Sequence, residues 1–177
     1  MWTNIIILSL VTLQRLAELY IAHRNTKKLI ANGGFEIGSN HYPIMVALHT
    51  LWLGGLWYLV IYQNPIVSMP WIIAYLVLEA ARGWIIAALG SRWTTRIIIV
   101  PGEALVAEGP YRFFRHPNYM VVAGEIFILP MAFGLWWYAI LFTALNAAML
   151  YWRIRAEDEA LKPLREPPQD QQANSGD

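Results

Sequence analysis

The chain has 177 residues, of which 57% are hydrophobic and only 14% charged, with a formal net charge of +1. It is short for more than one domain and too apolar for an ordinary soluble one; the net charge says nothing about nucleic acid, and no nucleic-acid partner is expected. The absence of cysteine excludes disulfides, a thiol nucleophile and a cysteine-based metal site, while nine Trp and nine Tyr suit a protein with aromatic residues at two membrane interfaces.

A spanning helix needs about 20 mainly apolar residues. Residues 2–22, 42–62 and 69–89 each qualify. The N-terminal residues lack the basic region and small-residue cleavage site of a signal peptide, so the first run is expected to stay in the mature protein. Gly54-Gly55 in the second span lets a neighbouring helix approach closely, and Asn64-Pro65 closes a tight turn into the third. Residues 93–107 differ in kind. A β-branched run, Thr94–Val100, precedes Pro101-Gly102 and Leu105-Val106, which suits a short hairpin or extended loop on the membrane face.

Residues 119–152 carry one formal charge, Glu125. As a single helix they would be about 50 Å long, well beyond a hydrocarbon core of about 30 Å. Pro130 and Gly134 supply the break, giving two short helices, 117–133 and 135–152, in a hairpin. The expected fold is an all-α integral membrane protein of five transmembrane helices, residues 1–162, with the extended segment before the fourth helix. Residues 163–177, rich in Pro, Gln and Asp, read as a disordered tail.

Lys and Arg give the orientation. Of the 13, Arg15 and Arg82 lie in spans, and the others fall in three segments: Arg24 to Lys28, Arg92 to Arg115, and Arg153 onward. The two opposite turns carry none. By the positive-inside rule the basic segments face the cytoplasm, the N-terminus lies outside and the C-terminus inside.

The polar residues cluster at two places. His116-Pro117 begins the fourth helix with Pro at its first position, and the free N–H groups of that turn, beside Arg112 and Arg115, suit an anionic group such as a carboxylate. Tyr111 and Tyr119 suit packing on a purine. Glu157 and Asp158, just past the fifth helix, suit an ammonium or ribose hydroxyls. The plainer reading is that Arg112, Arg115, Arg153 and Arg155 are membrane anchors, and spacing alone favours neither. No His/Glu pair has metal-ligand spacing, so no metal is expected. His49 reads as a packed or interfacial histidine, and His23 and His41 as residues of polar flanks.

Within the membrane, Arg15 and Glu18 stand at i,i+3 on the first helix, and Glu79 and Arg82 repeat that spacing on the third. Each pair can meet on one face. Ionisable residues in spans turn to the bundle interior or a polar cavity, so these four are either structural ion pairs or a substrate site. Glu125, without a charged neighbour on its helix, suits a general base or a partner of Arg82.

Tyr111–Tyr119 together with Arg153-Ile154-Arg155-Ala156-Glu157-Asp158 resembles the signature of the isoprenylcysteine carboxyl methyltransferase family, in which Arg-His-Pro-x-Tyr precedes a helical hairpin closed by Arg-Ile-x-x-Glu-Glu. This chain has Val121 where the family usually has Gly, and Asp158 replaces the second Glu. The resemblance implies S-adenosylmethionine held on the cytosolic side, with His116, Tyr119 and Glu157 among its contacts, in a pocket completed by Tyr111, Arg112, Arg115, Arg153 and Asp158. The whole-chain layout is similar to a bacterial subgroup that includes alkylpyrone O-methyltransferases, which carry segments like Gln14–Glu18 and Glu79–Arg82.

The reading that follows is methyl transfer to a carboxylate or acidic hydroxyl of a lipophilic acceptor entering from membrane lipid. Arg82 and Glu125 would act on the acceptor, with Arg15, Glu18 and Glu79 beside it. A phospholipid or small-amine N-methyltransferase and a non-enzymatic helical membrane protein are the alternatives.

Overall fold

The computed structural model describes residues 1–104 and 106–165. Five α-helices form the body: α1 Trp2–Ala31, α2 Tyr42–Gln63, α3 Met69–Leu89, α4 Pro117–Ala132 and α5 Trp136–Arg165. Two three-residue strands, β1 Phe35–Ile37 and β2 Ile97–Ile99, pair antiparallel with Phe35 opposite Ile99. By length and composition α1, α2 with its preceding turn, and α3 are each able to cross a membrane, whereas α4 is shorter. At 1.5 Å per residue α4 reaches only about 24 Å, against a hydrocarbon core of about 30 Å.

This is an all-α membrane protein, and its burial pattern is that of a bundle solvated by lipid. Leu10, Leu13, Leu51, Tyr62 and Leu76 point outward and exposed. The interior is a layer of Leu8, Trp52, Leu56, Tyr75, Leu129, Phe133 and Tyr138 drawn from all five helices. Gly55 makes the close approach expected of it. The space its side chain would fill is taken by the Tyr138 hydroxyl, which donates to the Trp52 carbonyl at 2.7 Å.

The turns fall where the breakers stand. Asn64 adopts φ +44° after α2, and Asn4 Nδ2 donates to the Pro65 carbonyl at 2.9 Å, tying α1 to that turn. Gly134 at φ +69° reverses the chain between α4 and α5, with Leu135 N–H donating to Pro130 O at 3.0 Å.

Three expectations need correction. First, α1 continues to Ala31, so Arg24, Lys27 and Lys28 are helical rather than in a loop. Nothing in that stretch breaks a helix before Asn32-Gly33, and its inner face packs: Asn25 is buried and donates to Trp93 O at 2.8 Å. Second, α5 runs past Trp152 to Arg165, so Arg153, Glu157 and Asp158 lie on the helix, with Arg153 and Glu157 one turn apart. Of the expected disordered tail, residues 163–165 belong to this helix, and 166–177 lie outside the described residues, as does Leu105. Third, the β-branched run pairs not with the residues after Pro101-Gly102 but with β1. Ile97 and Ile99 bury their side chains beneath the pair, and Arg96 bridges to Glu36 at 2.6 Å.

Candidate functional site

The polar motif is set by its first residue. Gly109 has φ +56°, and a Cβ there would lie 2.9 Å from Ala88 Cβ and 3.3 Å from Trp84 Nε1, both on α3. Only glycine allows this turn to seat so closely. The chain then makes a 3-10 turn, Gly109–Arg112, buries Pro110 and reaches His116, the residue capping α4.

There the two ends of the last hairpin meet. Tyr119 on α4 donates its hydroxyl to Glu157 Oε2 on α5 at 2.6 Å. His116 Nδ1 lies 3.7 Å from the same oxygen, and its ring stacks on Tyr119 with centroids 5.5 Å apart. The Arg153 guanidinium sits 5.7 Å above the Tyr119 ring and donates to the Thr95 carbonyl at 3.0 Å, which ties α5 to the segment before β2. Burial, and then the Glu157 carboxylate, push the Tyr111 phenol above its usual range, so it is a neutral hydroxyl at physiological pH.

Beneath these residues opens a cavity of about 850 Å³. Tyr111, Arg115, His116, Tyr119, Arg153 and Glu157 line its end at the hairpin opening; Arg112 and Asp158 do not reach it. Asp158 Oδ1 lies 3.3 Å from His116 Nε2 but off the line of a hydrogen bond, so that nitrogen has no hydrogen-bond partner among the described residues. Asn118 Oδ1, Asn146 Oδ1 and Arg153 Nε share this condition, and all four belong to residues of the cavity wall. Buried polar atoms are rarely left without a partner. A mixed set of donors and acceptors around one void suits a polar ligand with a carboxylate, an amine and a heterocycle, as S-adenosylmethionine has.

The same cavity reaches Arg15, Glu18, Arg82 and Glu125 in the middle of the bundle. Arg15 meets Glu18 at 2.7 Å as the spacing requires. Instead of pairing along α3, Glu79 turns to Arg15 (3.0 Å) and Gln14, while Arg82 turns to Glu125 and to Glu18 (3.5 Å). Arg82 Nε donates to Glu125 Oε1 at 2.7 Å, its Nη2 bonds the other oxygen, and Arg15 Nη2 lies 3.0 Å from that same oxygen. Glu125, on α4 between α1 and α3, is thus the hub that makes cross-helix pairing better than pairing along one helix. Two guanidiniums against three carboxylates leave a formal charge of −1.

Sequence reasoning assigned no role to Asn146, a lone polar residue inside an apolar run, or to Asn118, which stands within the motif as its unspecified position. His49, read as a packed or interfacial histidine, lines the cavity with them. His41, expected in a polar flank, is buried edge-on against Trp152, its ring close to Gly38.

The profile of the isoprenylcysteine carboxyl methyltransferase (ICMT) family matches residues 71–163, a range that includes both halves of the motif and Glu79, Arg82 and Glu125. The chain is 38% identical over 160 residues to the "Uncharacterized protein YpbQ" of Bacillus subtilis (strain 168), covering 89% of this chain and 95% of that protein. No solved structure matches the chain. With more than half its length matched by the family profile, this protein belongs to the isoprenylcysteine carboxyl methyltransferase family of S-adenosylmethionine-dependent membrane methyltransferases.

Proposed function

We propose that this protein holds S-adenosylmethionine at the cytosolic end of the cavity and methylates an oxygen of a lipophilic acceptor that enters from the bilayer. The acceptor is of the isoprenylcysteine or alkylpyrone kind. One observation carries the reading: a single cavity joins the His116–Tyr119–Glu157 cluster to the buried arginines of α1 and α3. Its volume lies within the range of about 300–1,000 Å³ usual for ligand sites, toward the large end that two ligands require.

The bound cofactor supplies a sulfonium methyl group that is already strongly electrophilic. The protein's part is therefore proximity, alignment and an ionised oxygen. Arg115, the first turn of α4 and Arg153 face an amino-acid carboxylate. Glu157 would accept from the ammonium or from ribose hydroxyls, with Asp158 outside the cavity against His116, while Tyr111 and Tyr119 would pack against the purine. Arg82, with Arg15 behind it, orients the acceptor oxygen. The surrounding apolar walls keep water out, which strengthens these contacts.

A second reading, methylation of an amine, draws on the cluster's formal charge of −1, since the unbalanced carboxylate would favour a cationic headgroup. Both are tested together in liposomes containing a long-chain alkylphenol, a long-chain carboxylic acid and an aminophospholipid, supplied with methyl-deuterated S-adenosylmethionine. Mass spectrometry should find the label on oxygen. Label confined to the amine, or on no oxygen, overturns the reading.

A further inference from the structure

His49 is a polar residue of α2 that the scheme above leaves without a task. It lines the cavity together with Arg15, Arg82 and Glu125. Its Nδ1 lies 2.8 Å from the carbonyl oxygen of Met45, one turn earlier on the same helix. A carbonyl oxygen only accepts, so Nδ1 carries the hydrogen, and in the neutral ring the lone pair is on Nε2. The backbone of α2 therefore selects the tautomer.

The carboxylates around the cavity floor are differently placed. Glu18 accepts from Arg15 and Gln14, Glu79 from Arg15 and Gln14, and Glu125 from Arg82 with Arg15 alongside. Nearer the cytosol, Glu157 accepts from Tyr119. Every one of these oxygen bases is engaged by a donor. Two imidazoles of the cavity wall have a nitrogen that the surrounding hydrogen bonds leave available, and of these His116 stands with Glu157 and Asp158 at the end assigned to the cofactor, which leaves His49 for the acceptor.

We propose that His49 is the general base of the reaction and that the acceptor is a lipophilic phenol. This rests on the reading that the protein methylates oxygen. A carboxylic acid, with a pKa near 4, arrives ionised and needs no base, whereas a phenol with a pKa near 10 is only about one part in a thousand ionised at pH 7. The acceptor O–H bond breaks with its proton passing to Nε2 and its electron pair staying on oxygen. That oxygen bonds the methyl carbon as the carbon–sulfur bond breaks, and the released pair turns the sulfonium into a neutral thioether. The imidazolium returns its proton to water when the product leaves.

The test uses the full-length protein in liposomes and His49→Asn, whose side-chain amide keeps a donor for the Met45 carbonyl but has no Nε2. With an alkylphenol, turnover should fall about 10²-fold or more, the usual contribution of a general base, while affinity for S-adenosylhomocysteine is kept. The wild-type rate should level off above the titration of the imidazole, whereas the variant's rate should keep rising toward the phenol's own pKa. Equal losses with an alkylphenol and a long-chain carboxylic acid would overturn the assignment.

A second readout does not need turnover. The chain has four histidines, so ¹⁵N-histidine labelling with His49→Asn identifies the His49 signals. Nε2 should resonate as a bare nitrogen and shift when the alkylphenol binds. A hydrogen on Nε2 in the neutral ring, or no response to the phenol, overturns the proposal. If the wild-type protein methylates neither oxygen acceptor, the oxygen reading falls and this proposal with it; oxygen methylation by the wild type with no effect of His49→Asn overturns this proposal alone.

Discussion

Arg82 is held by Glu125 through two of its nitrogens and buried with it. Removing one partner of such a pair leaves a charge in the bundle with too few donors, a loss of about 3–5 kcal/mol in buried pairs. Arg15 remains beside Glu125, so Arg82→Met should fall near the low end, measured as chemical unfolding in detergent. Combining Arg82→Met with Glu125→Leu removes both charges and should restore most of that stability. If Arg82 orients the acceptor, turnover in the double variant should stay low while cofactor affinity is kept. Recovery of turnover together with stability would make Arg82 purely structural. At this scale the sequence was informative where residues come in sets. The resemblance carried by Arg-His-Pro-x-Tyr and Arg-Ile-x-x-Glu located residues that do converge, and i,i+3 spacing gave the Arg15–Glu18 pair. Glu125 also suited Arg82 as a partner on sequence alone, and the two do pair; which carboxylate each remaining charge would take was not legible, because that depends on where α1 and α4 pack.

The α4–α5 hairpin and the loop that seats on α3 are the elements that bring His116, Tyr119 and Glu157 together. Gly109 is the point of contact, with a left-handed backbone and Trp84 and Ala88 against it. Gly109→Ala adds both backbone strain and crowding, so we expect about 1–3 kcal/mol of lost stability and weaker cofactor binding, read by unfolding and calorimetry. Gly102→Ala is the control. Its φ is +81°, but the space around it is open, so it should cost backbone strain alone and leave cofactor affinity unchanged. Equal losses of affinity in both variants would contradict the role given to Gly109. The helices themselves were legible from apolar runs and from Pro130 and Gly134. The C-terminal ends of α1 and α5 were not, because both helices continue through charged residues that form helix as readily as apolar ones. The β1–β2 pair joins residues about sixty apart in sequence, a distance at which a three-residue strand gives no local signal of its partner.

In the whole molecule, the five helices set a charge asymmetry across the membrane. The turns at 64–68 and around Gly134 carry no Lys or Arg, while the basic residues gather at the opposite ends. Reporter fusions after Gly33, Gln63, Glu103, Gly134 and Leu161 should read cytoplasmic, outside, cytoplasmic, outside, cytoplasmic. An outside reading at Glu103 would place the conjunction of His116, Tyr119 and Glu157 away from the cytosolic cofactor pool. The broad architecture followed from hydropathy and charge, but the continuous cavity did not, since it is a space between helices rather than a property of any one. That cavity carries the central claim, that S-adenosylmethionine binds where the last hairpin closes. Calorimetry of S-adenosylmethionine with the purified protein tests it most directly. The account predicts saturable binding that weakens by about 1–3 kcal/mol in His116→Ala and in Glu157→Ala, as loss of a buried or charged hydrogen bond requires. Absence of binding, or unchanged affinity in both variants with the fold intact, would contradict it.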